Sequence, residues 1–294
     1  MKNKPSRFLE LMEGFIDKYL PIAVGASPNT IKSYKYAFRL LLEYLYSKQG
    51  INADSICFEQ LDYECITGFL DWLETDRRCS VSTKNQRLSA LLSFSEYAQN
   101  RDFDAAAVFR SSLLKIPVKK GKKQGRTIFT IPEVTILPGM PNEKKGTGLR
   151  DKVLLSLMYA SGARAQEICD LRVRDIFLNS DRTASLILTG KGGKTRRIGV
   201  PFSCSKTLEK YIRYREIEIH PERHIFSSQT HEQMTVSCIE EIYKKYIKLA
   251  KEKYPELFRA KSYPPHAMRH TTASHMLEAG IPLIVIKTSL DMYL

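Results

Sequence analysis

Between Lys115 and Arg126 the chain sets six basic residues among twelve, with two glycines, a proline and no carboxylate. Such a stretch buries too little apolar surface to offset the ordering of its backbone, and its like charges repel, so it reads as an extended tether. The chain on either side must then build its own core. A length of 294 residues, about twice that of a common domain, agrees with two domains. We take residues 6–110 as the first, 111–126 as the basic linker and 127–294 as the second.

Upstream of the tether the apolar spacing is helical. Phe8, Leu11, Met12, Phe15 and Tyr19 mark one face, and Ser27-Pro28-Asn29-Thr30 is a start signal for a helix carrying Ile31, Tyr34, Phe38, Leu41, Leu42 and Leu45. Ile66, Phe69, Leu70 and Leu73 make a third stripe, and Leu88, Leu91 and Leu92 a fourth after the Ser80-Val81-Ser82-Thr83 cap region. Basic side chains gather at two of these starts, Lys32 and Lys35 on one helix, Lys84 and Arg87 on the other.

Downstream the pattern is mixed. Val153, Leu154, Leu157 and Met158 predict a helix from about Arg150 to Ala160 that stops at Ser161-Gly162, and a second begins near Ala163 with Arg164, Glu167, Ile168 and Leu171. Residues 184–188 and 196–200 alternate as strands around the glycines of Gly190-Lys191-Gly192-Gly193-Lys194, which reads as a hairpin. Further helices carry Leu208, Tyr211 and Ile212, then Ile239, Ile242, Tyr243, Tyr246 and Ile247. The expected fold class is mainly α with a small β-sheet, an α+β arrangement.

Pro264-Pro265 and Gly280 bracket one more helix. On it His266, Arg269 and His270 fall at i, i+3 and i+4, on one face of the first turns, with Ala273, Met276 and Leu277 expected to continue the core side. Free N–H groups, an arginine and imidazoles at a helix start stabilise an anionic oxygen, and phosphate is the obvious candidate.

A formal net charge of +14 favours a polyanionic partner, since Lys and Arg that neutralise phosphates release condensed counterions. Nucleic acid is preferred to membrane: no apolar run approaches the roughly 20 residues of a spanning helix, and the start Met1-Lys2-Asn3-Lys4-Pro5-Ser6-Arg7 lacks the apolar segment of a secretory signal. A cytoplasmic protein is expected. Lys32, Lys35, Lys84 and Arg87, with Lys119, Lys120, Lys122, Lys123 and Arg126 of the tether, are the candidate contacts to a duplex backbone. The six cysteines are scattered with no Cys-x-x-Cys pair, which argues against a zinc ribbon or a disulfide framework and for reduced, mostly buried thiols.

Three stretches in this order, Ala160-Ser161-Gly162-Ala163-Arg164-Ala165-Gln166-Glu167-Ile168, Gly190-Lys191-Gly192 and His266-x-x-Arg269-His270, follow a basic helical first half. The chain thereby resembles the tyrosine recombinases, or phage integrases, including the Xer-type enzymes. The resemblance implies a SAM-like core-binding domain and a DNA breaking-rejoining catalytic domain. It also implies site-specific recombination or integration of duplex DNA through a 3′-phosphotyrosyl intermediate, by a dimer or tetramer assembled on DNA. It assigns Arg164 and Arg269 to the non-bridging phosphate oxygens, Lys191 to the leaving 5′ oxygen, and His266 to the proton at the nucleophile or to charge stabilisation. Glu167 would orient its neighbours. No metal or other cofactor is called for, because two guanidinium groups supply the positive charge.

The resemblance also predicts Leu-Gly-His beyond Gly280 and a nucleophilic tyrosine some ten residues later. Here Leu290-Asp291-Met292 stands at the first place and the sequence stops at Leu294, with Tyr293 too early in the pattern. The chain therefore reads as incomplete at its C-terminus, and a duplex clamp that binds without cutting is the alternative reading. A type IB topoisomerase relative shares the chemistry but not the Xer-like first domain.

Overall fold

The computed structural model describes residues 6–121 and 125–291, in two compact units, Met1–Lys123 and Gln124–Leu294. Lys122, Lys123 and Tyr293 lie outside the described residues.

The first unit is helical. Its helices are α1 (Arg7–Gly14), α2 (Pro28–Gln49), α3 (Tyr63–Thr75), α4 (Val81–Gln99) and α5 (Phe103–Leu114). Side-chain oxygens start them: Ser27 accepts from the Thr30 N–H at 3.2 Å, Asp62 from Cys65 at 2.8 Å and Ser80 from Thr83 at 3.2 Å. The first apolar stripe, read as one helix, is α1 followed by a π-helical run, Phe15–Ala23, that contains Pro21, a residue with no N–H to give to an α-helical ladder. The sequence reading passed over α5. It runs to Leu114 with Leu113 fully buried, so residues 111–114 of the expected linker are helical. Phe94 stands in the middle of the core, its ring 5.1 Å from Phe38, 5.4 Å from Phe8, 5.5 Å from Phe15 and 6.1 Å from Phe109.

The second unit contains α6 (Ile131–Ile136), α7 (Gly146–Ser161) and α8 (Ala165–Asp170), then β1 (Ile176–Leu178), β2 (Ala184–Thr189) and β3 (Thr195–Val200). After the strands come α9 (Phe202–Tyr214), α10 (Val236–Lys253), α11 (His266–Glu278) and α12 (Leu283–Leu290). The sheet is antiparallel in the order β1-β2-β3, with Leu186 opposite Ile176 on one side and Ile198 on the other. Ala184, Leu186 and Leu188 alternate inward, as a one-sided sheet requires. Helix α7 buries Val153, Leu154, Leu155, Leu157 and Met158, and both α9 and α11 pack on it.

The core side of α11 is Ala267, Met268, Thr271 and Thr272, whereas Ala273 and Met276 are only half-buried and Leu277 is 55% exposed. The expected face is thus rotated. Buried threonines replace the expected apolar residues because the backbone satisfies their hydroxyls: Thr271 Oγ1 accepts from the Phe129 N–H at 2.9 Å, and Thr272 donates to the Tyr159 carbonyl at 2.7 Å. His275, also on α11, meets the Phe129 carbonyl through Nε2 and the Tyr159 hydroxyl through Nδ1, both at 2.9 Å. A carbonyl only accepts, so Nε2 is the donor to Phe129.

Three cysteines, Cys65, Cys169 and Cys204, are buried, Cys79 and Cys238 are half-buried, Cys57 is exposed, and all are free thiols. Among the described residues no helix is long and apolar enough to cross a membrane.

Helix α7 closes on Gly162 in the left-handed conformation, φ 55°. A β-carbon there would sit 2.6 Å from Leu290 Cδ2 and 3.4 Å from Thr272. Gly162→Ala is therefore expected to lower stability by about 1–3 kcal/mol through strain and overpacking, which a thermal melt would read as a drop of several degrees.

Candidate active site

Arg164 is the residue that starts α8, two residues after the Gly162 turn. Its backbone N–H donates to Glu167 Oε2 at 2.8 Å and its Nη1 to Glu167 Oε1 at 2.8 Å. From β3, Arg196 reaches the same carboxylate with Nη1 on Oε1 at 2.8 Å and Nη2 on Oε2 at 2.6 Å. The Glu167 side chain is 2% exposed. Burial alone would raise its pKa, but the donors from Arg196 and Arg164 outweigh this and hold it below the usual carboxylate value. Glu167 is a fully occupied acceptor that fixes two guanidinium groups.

Sequence reasoning missed Arg196. Its signal was the strand alternation, which puts Arg196 on the face of Ile198 and Val200, where a cation needs a buried anion. Arg197 faces the other way and lies over the Phe177 ring at 5.3 Å.

Arg269 belongs to the first turn of α11 and is 2% exposed. Nη1 donates to the Gly162 carbonyl at 2.8 Å, and Nη2 to the Asp291 carbonyl at 3.3 Å. Arg164 Nη2 donates to that same Asp291 oxygen at 2.9 Å, and Arg164 Nη1 to Asp291 Oδ2 at 3.0 Å. Residues 105 positions apart in sequence thus converge on one oxygen atom. Burial and then the charge of Arg164 bring the Arg269 pKa down to about 10, which leaves it protonated at neutral pH.

His266 and His270 stand at the start of α11 with ring centroids 4.7 Å apart and planes perpendicular. Partial desolvation, then Arg269, Arg164 and Arg126, lower the His266 pKa below the ordinary imidazole value; desolvation, then His266, Arg126 and Arg269, do the same for His270. Both rings therefore hold a proton less readily than a free imidazole. The hairpin tip abuts this cluster: a β-carbon on Gly190 would lie 3.3 Å from Glu167 Oε1 and 3.4 Å from Arg164 Nη1. Lys191 is the next residue, and its side chain lies outside the description. Tyr263, next to the motif in sequence, gives its hydroxyl proton to buried Glu133.

In the first unit, Lys32 is exposed and Lys35 pairs with Asp17 at 3.0 Å. Arg39 and Arg87 both lie over the Tyr36 ring, at 4.7 and 5.0 Å. Arg87 is 8% exposed, donates to the Ser33 carbonyl and hydroxyl at 3.2 and 3.1 Å, and leaves its Nε buried with no partner. Lys84 lies between Asp71 at 3.1 Å and Glu74 at 3.0 Å, and Lys119 also ends on Glu74 at 2.6 Å. Acidic residues of α3 thus pair with both of these lysines. Lys120 and Arg126 are exposed. Lys122 and Lys123 lie outside the described residues.

Residues 132–291 match the phage integrase family, and residues 11–105 match the phage integrase N-terminal SAM-like domain. The putative integrase/recombinase y4rC of Sinorhizobium fredii is 31% identical over 283 residues, covering 96% of this chain and 83% of the relative. Tyrosine recombinase XerC of Chlamydia caviae is 29% identical, covering 94% of this chain and 88% of its own. Among solved structures, the XerH site-specific recombinase bound to its difH substrate before cleavage superposes with a TM-score of 0.71 at 18% identity, over 95% of this chain and 77% of that one. The Tn1549 transposon integrase in complex with circular intermediate DNA gives 0.73 at 15% identity, over 97% and 92%. These two likenesses are of fold. With more than half its length matched by the catalytic family and a relative of close to its full extent, the chain belongs to the phage integrase family.

Proposed function

We propose that this chain is a site-specific DNA recombinase or integrase that holds one phosphodiester of a duplex between Arg164 and Arg269. The observation that carries the reading is the single oxygen, that of Asp291, on which both guanidinium groups converge at 2.9 and 3.3 Å. In-line displacement at phosphorus accumulates charge on the non-bridging oxygens, and two fixed forks stabilise that charge without rearranging. A tyrosine hydroxyl of the family type bonds to the phosphorus as the 5′ oxygen leaves; His266 takes the proton of that hydroxyl, and Lys191, on the hairpin tip, protonates the leaving oxygen. Residues 6–110 act as the core-binding domain, with the basic segment as tether and the residues from 127 onward as the catalytic part. Copies of the chain assemble on the duplex, and this work is cytoplasmic.

A second reading, a clamp that binds duplex DNA without cutting it, draws on the engagement of Tyr263 with Glu133 and of Tyr159 with His275. A nicked suicide duplex separates the two. A covalent adduct that Arg269→Ala removes supports the recombinase, salt-sensitive retardation with no adduct supports the clamp, and neither result sinks both.

Replacing Lys32 and Lys120 together by alanine is expected to lower affinity for any duplex alike and to reduce the salt slope by roughly two, at about 0.9 per phosphate contact. Lys84→Ala is expected to leave the slope unchanged and to loosen α4 from α3.

A further inference from the structure

Two carboxylates meet Arg164, and they differ in one respect. Glu167 is sealed at 2% exposure of its side chain, whereas Asp291 is 27% exposed and Arg164 itself 34%. Asp291 follows α12 in the left-handed conformation, φ 48° and ψ 55°, which turns both its carboxylate and its carbonyl toward the arginines. One residue thereby presents two oxygens to a pair of forks, the arrangement that two non-bridging phosphate oxygens would present. The helix that delivers it is lightly held. Only Ile286 and Leu290 of α12 are buried, Leu283, Ile284 and Val285 are exposed, and a further tie is the donation of Arg196 Nε to the Ser289 carbonyl at 3.0 Å.

We propose that Asp291 is an internal occupant of the arginine cradle, an intramolecular anion that an incoming phosphodiester displaces before either arginine can serve it. The inference rests on the reading of the cradle given under Proposed function. The exchange swaps one singly charged anion for another, so it does not leave two unpaired guanidinium groups in the site at any stage. What it requires is a small outward shift of the end of α12, and the exposed edge of the Arg164–Asp291 pair gives the phosphate a way in. Glu167 stays in place throughout, since both its oxygens are committed to Arg196 and Arg164 in a buried setting.

The test is the binding of inorganic phosphate by the full chain, measured by titration calorimetry. Asp291→Asn keeps the shape, tolerates the left-handed backbone and removes the charge; Asp291→Gly fits the same backbone with no side chain, and serves if the first variant folds poorly. Each is expected to bind phosphate about tenfold more tightly than the parent chain, the loss of one charged competitor. An affinity equal to that of the parent in both variants, with Arg164→Ala abolishing binding, overturns the role of Asp291 and leaves the cradle standing. Phosphate binding that Arg164→Ala does not alter overturns the cradle, and the inference with it.

Discussion

In a chain carrying a family-type tail with its nucleophilic tyrosine, Arg164→Ala and Arg269→Ala are each expected to slow phosphodiester cleavage by about 10²–10³-fold, roughly 3–4 kcal/mol of barrier, the usual loss when one preorganised donor to a developing oxyanion is removed. Independently of cleavage, each is expected to abolish the binding of inorganic phosphate or orthovanadate. Retardation of a long duplex is expected to change by only a few-fold, because most of that affinity comes from other backbone contacts. Lysine is no substitute at either place, since a single ammonium cannot span two oxygens. A variant that loses duplex binding and keeps its cleavage rate would refute the assignment.

The second large effect concerns stability. Glu167→Ala removes the partner of Arg164 and Arg196 at a position where the carboxylate side chain is 2% and the Arg196 side chain 9% exposed. Breaking a buried pair strands the opposite charge, at a cost of about 3–5 kcal/mol, a large share of the stability of most domains. Urea unfolding would read it. The double change Glu167→Ala with Arg196→Met is expected to recover much of the loss, because the stranded charge goes with its partner. If the single variant unfolds at the same urea concentration as the parent chain, the pairing contributes nothing.

Local chemistry made much of this molecule legible in its sequence. Ser27 and Ser80 mark the starts of α2 and α4 because a hydroxyl that caps a helix acts within three residues. The glycines at 190, 192 and 193 marked the hairpin, and Pro264-Pro265 with Gly280 marked α11. Two of the three motif stretches pointed to Arg164 and Arg269, which meet on one oxygen, through a resemblance that composition alone would not have supplied. The three residues of β1 carry no period to detect, and α5 went unread. The pairings were hidden for a different reason. That Glu74 gathers Lys84 and Lys119, or that Asp291 meets Arg164 across 127 positions, depends on how distant segments pack. A lysine at a helix start looks the same whether it faces a phosphate or a carboxylate.

Arg196 has one more consequence. It pairs with Leu188 in the β2–β3 ladder, one residue inside the last pair before the turn, Thr189 with Thr195, and its guanidinium is pinned to buried Glu167. The ladder is thus riveted at the end nearest its glycine turn, so a displacement of the turn cannot spread into β2 and β3 without first breaking that ion pair.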